Sequence, residues 1–248
     1  MHRPASFGAP LLWAALLLWP APARAYRPFD STDAAVADAG ELELEIGPLG
    51  WLHAAGGDSL VAPSLVANWG FASGWEAVVE GRHVVRLGGA GPEGLLDPGV
   101  SVKVVVRPGT LQGRPGPSLA LEPGLLLPEI GGEEGLGALL TGILSQRWTA
   151  VTVHLDAAAG LSRAHAALLA GGLILEGPGA WALRPVAELF AEGERGRTAV
   201  ASALAGAIWR LGERLSLDAA VRAVREAGEA ALELRAGLTW SIDLSPAR

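Results

Sequence analysis

The sequence predicts an all-β protein, specifically a transmembrane up-and-down antiparallel barrel of about 12 strands. Three observations lead to this prediction. Apolar side chains such as Leu234 and Trp240 alternate with charged ones such as Arg235 along residues 230–244, which is the period of a strand with one apolar and one polar face. The alternation recurs in about 12 segments of roughly 10 residues, the length of a tilted bilayer-spanning strand. The chain also begins with an export signal.

Residues 1–25 predict a secretory signal peptide. A basic start at Arg3 precedes an apolar run from Leu11 to Trp19, and Ala23-Arg24-Ala25 forms an A-x-A cleavage site before Tyr26. The run is too short for a membrane-spanning helix, which needs about 20 apolar residues. The chain has no cysteine, which excludes disulfides and thiolate metal sites.

The remaining chain divides into three parts. Residues 26–40 show no period and are predicted to be an N-terminal periplasmic segment. Residues 41–244 are the predicted outer-membrane barrel, and residues 245–248 are a C-terminal tail. The alternation, broken by glycine, proline or charge, predicts strands in the order 41–46, 60–70, 75–85, 100–106, 119–127, 136–147, 149–158, 166–176, 181–191, 198–210, 215–223 and 230–244.

Two features of these segments oppose the barrel. Pro63, Pro123 and Pro185 lie inside predicted strands, where a missing N–H requires a bulge or a strand end. Residues 218–237 have high helix propensity, but their charges follow the strand parity rather than a helical period. An even number of strands places both termini on the periplasmic side. The turns there are expected to be short and the outer loops longer, except for a long inner connection at 108–117.

The polar parity predicts the residues that line the lumen. In a membrane barrel the apolar face contacts lipid and the polar face points inward. Acids outnumber bases among these residues, which predicts a mildly cation-favouring lumen, unless paired charges fill the barrel and seal it. The predicted lumen-lining residues are Glu41, Glu43, Glu45, Glu76, Glu80, Arg82, Lys103, Arg107, Glu122, Arg147, His154, Asp156, Arg184, Glu188, Asp218, Arg222, Glu233 and Arg235.

The sequence also raises enzymatic and metal-binding alternatives. Ser145 and His154 lie on neighbouring predicted strands with polar parity, so a nucleophile and base pair of a barrel hydrolase is conceivable. The histidines at 53, 83 and 165 map near the outer rim, where solvated side chains are the simpler interpretation. We therefore predict no catalytic site, no metal site and no cofactor.

Six stretches along the chain carry a resemblance to a known family. They are Arg27-Pro28-Phe29-Asp30, Gly40-Glu41-Leu42-Glu43-Leu44-Glu45, Arg184-Pro185-Val186-Ala187-Glu188-Leu189-Phe190, Gly206-Ala207-Ile208-Trp209, Leu215-Ser216-Leu217-Asp218 and Gly237-Leu238-Thr239-Trp240. With these stretches the chain resembles a family of bacterial outer-membrane proteins named for the meta-pathway of phenol degradation. The resemblance implies a barrel that transports small compounds, aromatic ones among them. One departure is that such barrels usually end on an aromatic residue, whereas Leu244 here precedes Ser245-Pro246-Ala247-Arg248.

The predicted function is passive passage of small solutes through the outer membrane of a Gram-negative bacterium. The expected partners are outer-membrane lipid, a small-molecule solute and the barrel-assembly machinery. Nucleic acid is not expected, because the net charge is −7 and no basic patch is present. The alternatives are a sealed barrel with a structural or surface-binding role, the hydrolase, and a soluble periplasmic β-sandwich with its apolar faces inward.

Overall fold

The chain forms a closed barrel of twelve antiparallel strands, each paired with its neighbours in sequence, and β1 closes the barrel against β12. This confirms the predicted fold class and strand number. The computed structural model describes residues 27–89 and 93–245. The predicted signal peptide at 1–25, Tyr26 and most of the predicted tail lie outside these ranges.

The strands are β1 (Glu41–Ala54), β2 (Gly57–Ala72), β3 (Trp75–Arg86), β4 (Gly94–Arg107), β5 (Ser118–Leu126), β6 (Gly137–Arg147), β7 (Thr152–Leu161), β8 (Ala167–Glu176), β9 (Leu183–Glu194), β10 (Val200–Arg210), β11 (Leu215–Glu226) and β12 (Glu229–Asp243), with a single 3₁₀ turn, η1 (Thr110–Gln112), between β4 and β5. Within the described ranges, no helix has the length and apolar character needed to span a bilayer. The helix propensity of residues 218–237 is overridden, since these residues pair in β11 and β12.

The strand parity decides which side chains face outward. Leu234 and Trp240 on β12 are 43% and 48% exposed, whereas Glu233, the residue before Leu234 on the same strand, is 4% exposed. Leu189 on β9, three strands away, follows the same rule and is 59% exposed. An apolar outer surface around a polar interior is the pattern of a barrel that sits in lipid.

One of the three prolines named from the sequence shifts the strand register. The β2–β3 register shifts between Val61 and Ser64, which is the irregularity expected around Pro63. Pro123 pairs with Leu140 and Pro185 pairs with Ala207 without a shift, so the bulge expected at these two residues is absent. A shift also occurs at Pro48, between Ile46 and Leu49 of the β1–β12 pair. Because proline cannot donate to the ladder, the bulges at Pro63 and Pro48 keep the rest of each strand in register.

We call the end of the barrel at which β1 begins and β12 ends the inner end, and the opposite end the outer end. The expected greater length of the outer loops is wrong at two of them. Only residues 55–56 separate β1 from β2, and only residues 227–228 separate β11 from β12. The reason is that β1, β2 and β12, with 14, 16 and 15 residues, continue into stretches predicted as loop.

Candidate functional site

Residues 27–40, which we call the lumenal segment, lie inside the barrel. Because residues 26–40 lack a period, the sequence predicts them to be an N-terminal periplasmic segment, whereas 27–40 lie in the lumen. In the structure they enter at the inner end, where the amide of Gly40 donates to the carbonyl of Gly70 at 2.7 Å. The run from Ala34 to Ala37 is buried. The segment has no helix or strand of its own, so its polar main-chain groups need partners on the barrel wall.

Inward carboxylates supply many of these partners. The Arg27 amide donates to Glu45 at 2.9 Å. Two consecutive amides share one carboxylate, because those of Asp30 and Ser31 donate to Glu188 at 2.9 and 2.7 Å. These contacts satisfy main-chain amides that have no partner within the segment.

Closer to the inner end the same pattern continues. The Thr32 amide donates to Asp156 at 3.3 Å, and the Ala37 amide donates to Glu76 at 2.6 Å. Between them, the Ala34 amide donates to the hydroxyl of Ser145 at 2.9 Å. The acceptors come from five strands, β1, β3, β6, β7 and β9, so the segment is held from around the barrel.

Two charged side chains, Arg27 and Asp30, anchor the end of the segment that lies deepest in the lumen. Asp30 accepts from Arg235 at 2.7 Å and also pairs with Arg222, and both guanidinium groups contact Glu233. Burial alone would raise the pKa of Asp30, but Arg235 and Arg222 outweigh it and hold that pKa below its usual value. Arg27 donates to Ser64 at 2.7 Å and pairs with Asp218 at 3.4 Å.

The connection between β4 and β5, residues 108–117, packs against the segment at the inner end of the barrel. Its 3₁₀ turn η1 places Leu111 in a buried apolar cluster with Ala34, Ala35, Ala120 and Ile143. The side-chain amide of Gln112 donates to the Ala34 carbonyl at 2.8 Å. No sequence pattern explains this long connection, but in the structure it covers the segment at the inner end.

Gly70 and Gly237 are among the glycines that make room for the segment. A Cβ added to Gly70 on β2 would collide with the main-chain carbonyls of Ala37 and Asp38, and one added to Gly237 on β12 would collide with the Arg27 guanidinium. The parity rule places both glycines on the inward face. Their lack of a side chain is therefore what lets the segment approach the wall.

Ser145 and His154 meet as the hydrolase alternative requires. The Ser145 hydroxyl lies 2.8 Å from Nδ1 of His154, and Nε2 of His154 lies 3.7 Å from Glu176, which also pairs with Arg184 at 3.0 Å. Ser145 and His154 are 0% and 1% exposed beneath the segment. The Ser145 hydroxyl already accepts the Ala34 amide, so in this state the pair binds the segment and faces no open space.

A cavity of about 550 Å³ lies above the segment, toward the outer end. Phe29 of the segment and Phe190 of β9 contribute to its wall, together with Glu80 and Glu192. An apolar groove on the outer surface of β4 to β7 adjoins this cavity. The two share the lining residues Val100, Ser101, Gly124, Leu125 and Leu139.

All but one of the predicted lumen-lining residues fall into three groups. Those that contact the segment are Glu41, Glu45, Glu76, Lys103, Asp156, Glu188, Asp218, Arg222 and Arg235. Those that contact each other or the wall beside it are Glu43, Arg147, His154, Arg184 and Glu233. Glu80, Arg82 and Glu122 line the cavity, whereas Arg107 lies exposed at the inner end.

Sequence reasoning missed the apolar part of the interior. Ile143, Ile174 and Ile208 are each at most 3% exposed, and Phe29 packs against Val186 and Ile208. The strand parity could have shown that these isoleucines point inward, since Ile143 shares its face with the polar residues Thr141 and Ser145. Across the described residues, no group of three or more His, Asp or Glu side chains is placed to hold a metal ion.

Neither a protein-family model nor a curated protein matches the sequence. Solved structures do share the fold. An outer-membrane channel from Pseudomonas putida F1 aligns with a TM-score of 0.63 and 10% identity over 86% of this chain and 100% of that chain. The NanC porin aligns at 0.58 with 7% identity over 80% and 98%, and the KdgM porin at 0.51 with 14% identity over 82% and 99%. At these identities the likeness shows the barrel fold, and the resemblance to the phenol-degradation family stays a prediction.

Proposed function

We propose that the protein is an outer-membrane channel for small solutes whose lumen is closed by the lumenal segment in the conformation described. The observation that carries this proposal is the polar lumen, which holds a cavity of about 550 Å³ above the segment. The apolar outer surface supports a place in the membrane. The similar folds, described as a channel and as porins, support a role in passage.

The residues that line the cavity favour small, partly apolar molecules as the solutes that pass. A volume of this size falls in the range that holds drug-sized ligands. Phe29 and Phe190 offer aromatic faces, and the adjoining groove on the outer wall is apolar. Glu80 and Glu192 have no cation within 4 Å among the described residues. They would give the passage a mild preference for cations.

Replacing Gly70 by leucine tests whether the segment closes the lumen. The new side chain would meet the main chain of Ala37 and Asp38, which cannot rotate away as a flexible side chain can. Overpacking costs about 1–3 kcal/mol, so the displaced state should become roughly tenfold or more populated. We expect a matching rise in ion conductance across planar bilayers, with a weak preference for cations.

Gly142→Leu is the matched control, because the nearest atoms to a Cβ at Gly142 are 3.9 Å away. Its conductance should equal that of the wild type. Gly70→Leu barrels that insert into the bilayer and conduct no more than this control would favour a sealed barrel with a structural or surface-binding role.

The Ser145–His154 contact requires a test of the hydrolase alternative. Since both side chains are buried beneath the segment and Ser145 is engaged by Ala34, we expect no hydrolysis of lipid or soluble esters above that of His154→Ala. The assay compares ester turnover by wild type, His154→Ala and Ser145→Ala. Turnover that is lost in both variants would show that the pair is catalytic.

A further inference from the structure

We infer that the inner half of the lumen is a binding site for the main chain of a short, irregular peptide, and that it can accept such a peptide in trans when the chain's own segment is displaced. The inference goes beyond the channel proposal, because it concerns binding and holds whether or not solutes pass through the barrel. The ligand class is defined by two charged anchors and a run of small residues.

The first argument is that the wall recognises main-chain groups. The amides of Arg27, Asp30 and Ser31 donate to Glu45 and Glu188. The contacts nearer the inner end repeat this arrangement on Asp156, Ser145 and Glu76. The carbonyls of Pro28 and Ala34 accept from Arg235 and Gln112 at 2.7 and 2.8 Å. Every peptide carries these groups, so the contacts make little demand on sequence.

The second argument is the cost of an empty site. With the segment in place Glu45, Glu76 and Glu188 are each at most 3% exposed. Without it, Glu188 loses the amides of Asp30 and Ser31, Glu45 keeps Asn68, and Glu76 keeps Lys103. Several acceptors facing one path thus favour a lumen that contains a peptide. Backbone amides are neutral donors that can satisfy these acceptors in a row, which a small solute cannot do.

The third argument sets the limits on the peptide side chains. Arg27 and Asp30 are held by ion pairs with Asp218 and with Arg222 and Arg235, so charges at these two positions are recognised. Ala34 and Ala37 are 0% and 3% exposed, which leaves no room for larger side chains. The site therefore fits a peptide with arginine and aspartate three residues apart, followed by small residues.

The experiment uses the full-length Arg27→Ala/Asp30→Ala variant, in which the chain's own anchors are removed and the wall is intact. Tethering gives the segment a millimolar effective concentration, so it must be weakened before a free peptide can compete. Folding is checked by heat-dependent mobility on gels. Release is checked by the reactivity of a cysteine placed at Ala35, since the chain has no other cysteine. A segment that stays in place without its anchors would contradict the anchoring and overturn the inference.

The probe is a synthetic peptide of residues 27–40 with a fluorophore at its C-terminus. We expect saturable binding to the released variant, and binding within a few-fold for a peptide that keeps the arginine and aspartate but permutes the other small residues. N-methylation of the Ala34 and Ala37 amides should weaken binding by about tenfold or more. Leucine at both positions should abolish it.

Glu188→Gln in the same background is the matched change in the wall. The substitution replaces one carboxylate oxygen, which can accept from the amides of Asp30 and Ser31, by an NH2 group, which can only donate. Peptide binding should therefore fall by about tenfold. Absence of saturable binding, equal binding of the N-methylated peptide, or binding of the native sequence alone would each overturn the inference. These outcomes are independent of conductance, so failure of the channel proposal would be seen separately.

Discussion

Asp30→Ala is expected to release the lumenal segment from the barrel wall. The substitution removes the carboxylate that pairs Arg222 and Arg235 with the segment and leaves Glu233 as their shared carboxylate partner, while Arg235 keeps its hydrogen bond to the Pro28 carbonyl. Breaking a buried ion pair by removing one partner costs about 3–5 kcal/mol. A loss of this size would raise the population of the released segment by about 100-fold or more.

The measurement is the rate at which a soluble maleimide labels a cysteine introduced at Ala35. This position is 7% exposed in the apolar cluster with Leu111, and the chain contains no competing thiol. Labelling should accelerate by about 100-fold in Asp30→Ala. Asp58→Ala is the control, because its partner His53 lies on the exposed outer rim. An unchanged labelling rate in Asp30→Ala would mean that the ion pairs do not hold the segment.

Leu234→Arg is expected to destabilise the barrel strongly. Leu234 faces outward and is 43% exposed, and it pairs with Trp51 and Val221 within the strands rather than at a turn. An arginine on the lipid face near the bilayer midplane costs roughly 2–4 kcal/mol. The free energy of unfolding in lipid vesicles, measured by urea titration of tryptophan fluorescence, should fall by that amount.

Leu87→Arg is the matched control for this change. Leu87 is 57% exposed but follows the last residue of β3 at the outer end, where the same substitution costs roughly 0–1 kcal/mol. Arg235 is not a useful comparison, because it binds Asp30 and Glu233 and its loss would disturb the segment. Equal destabilisation at 87 and 234 would argue against the apolar outer surface as the lipid face.

The alternation of side chains by itself determined the number of strands and which side chains share a face. Parity is a local property, since each strand residue points to the face opposite that of its neighbour. Residues 230–244 therefore show their two faces without reference to any partner. Twelve such strands can satisfy their edges only by closing, so β1 pairs with β12 as an up-and-down barrel requires.

Only the tertiary structure decided what fills the lumen. Residues 27–40 have no period, and their partners are remote in sequence, with Asp30 and Glu188 separated by 158 positions and Ala34 and Ser145 by 111. The roles of η1 and Gly70 depend in the same way on the segment that lies against them. A local pattern shows that Glu188 points inward, but only the closed barrel brings its carboxylate to the main-chain amides that it binds.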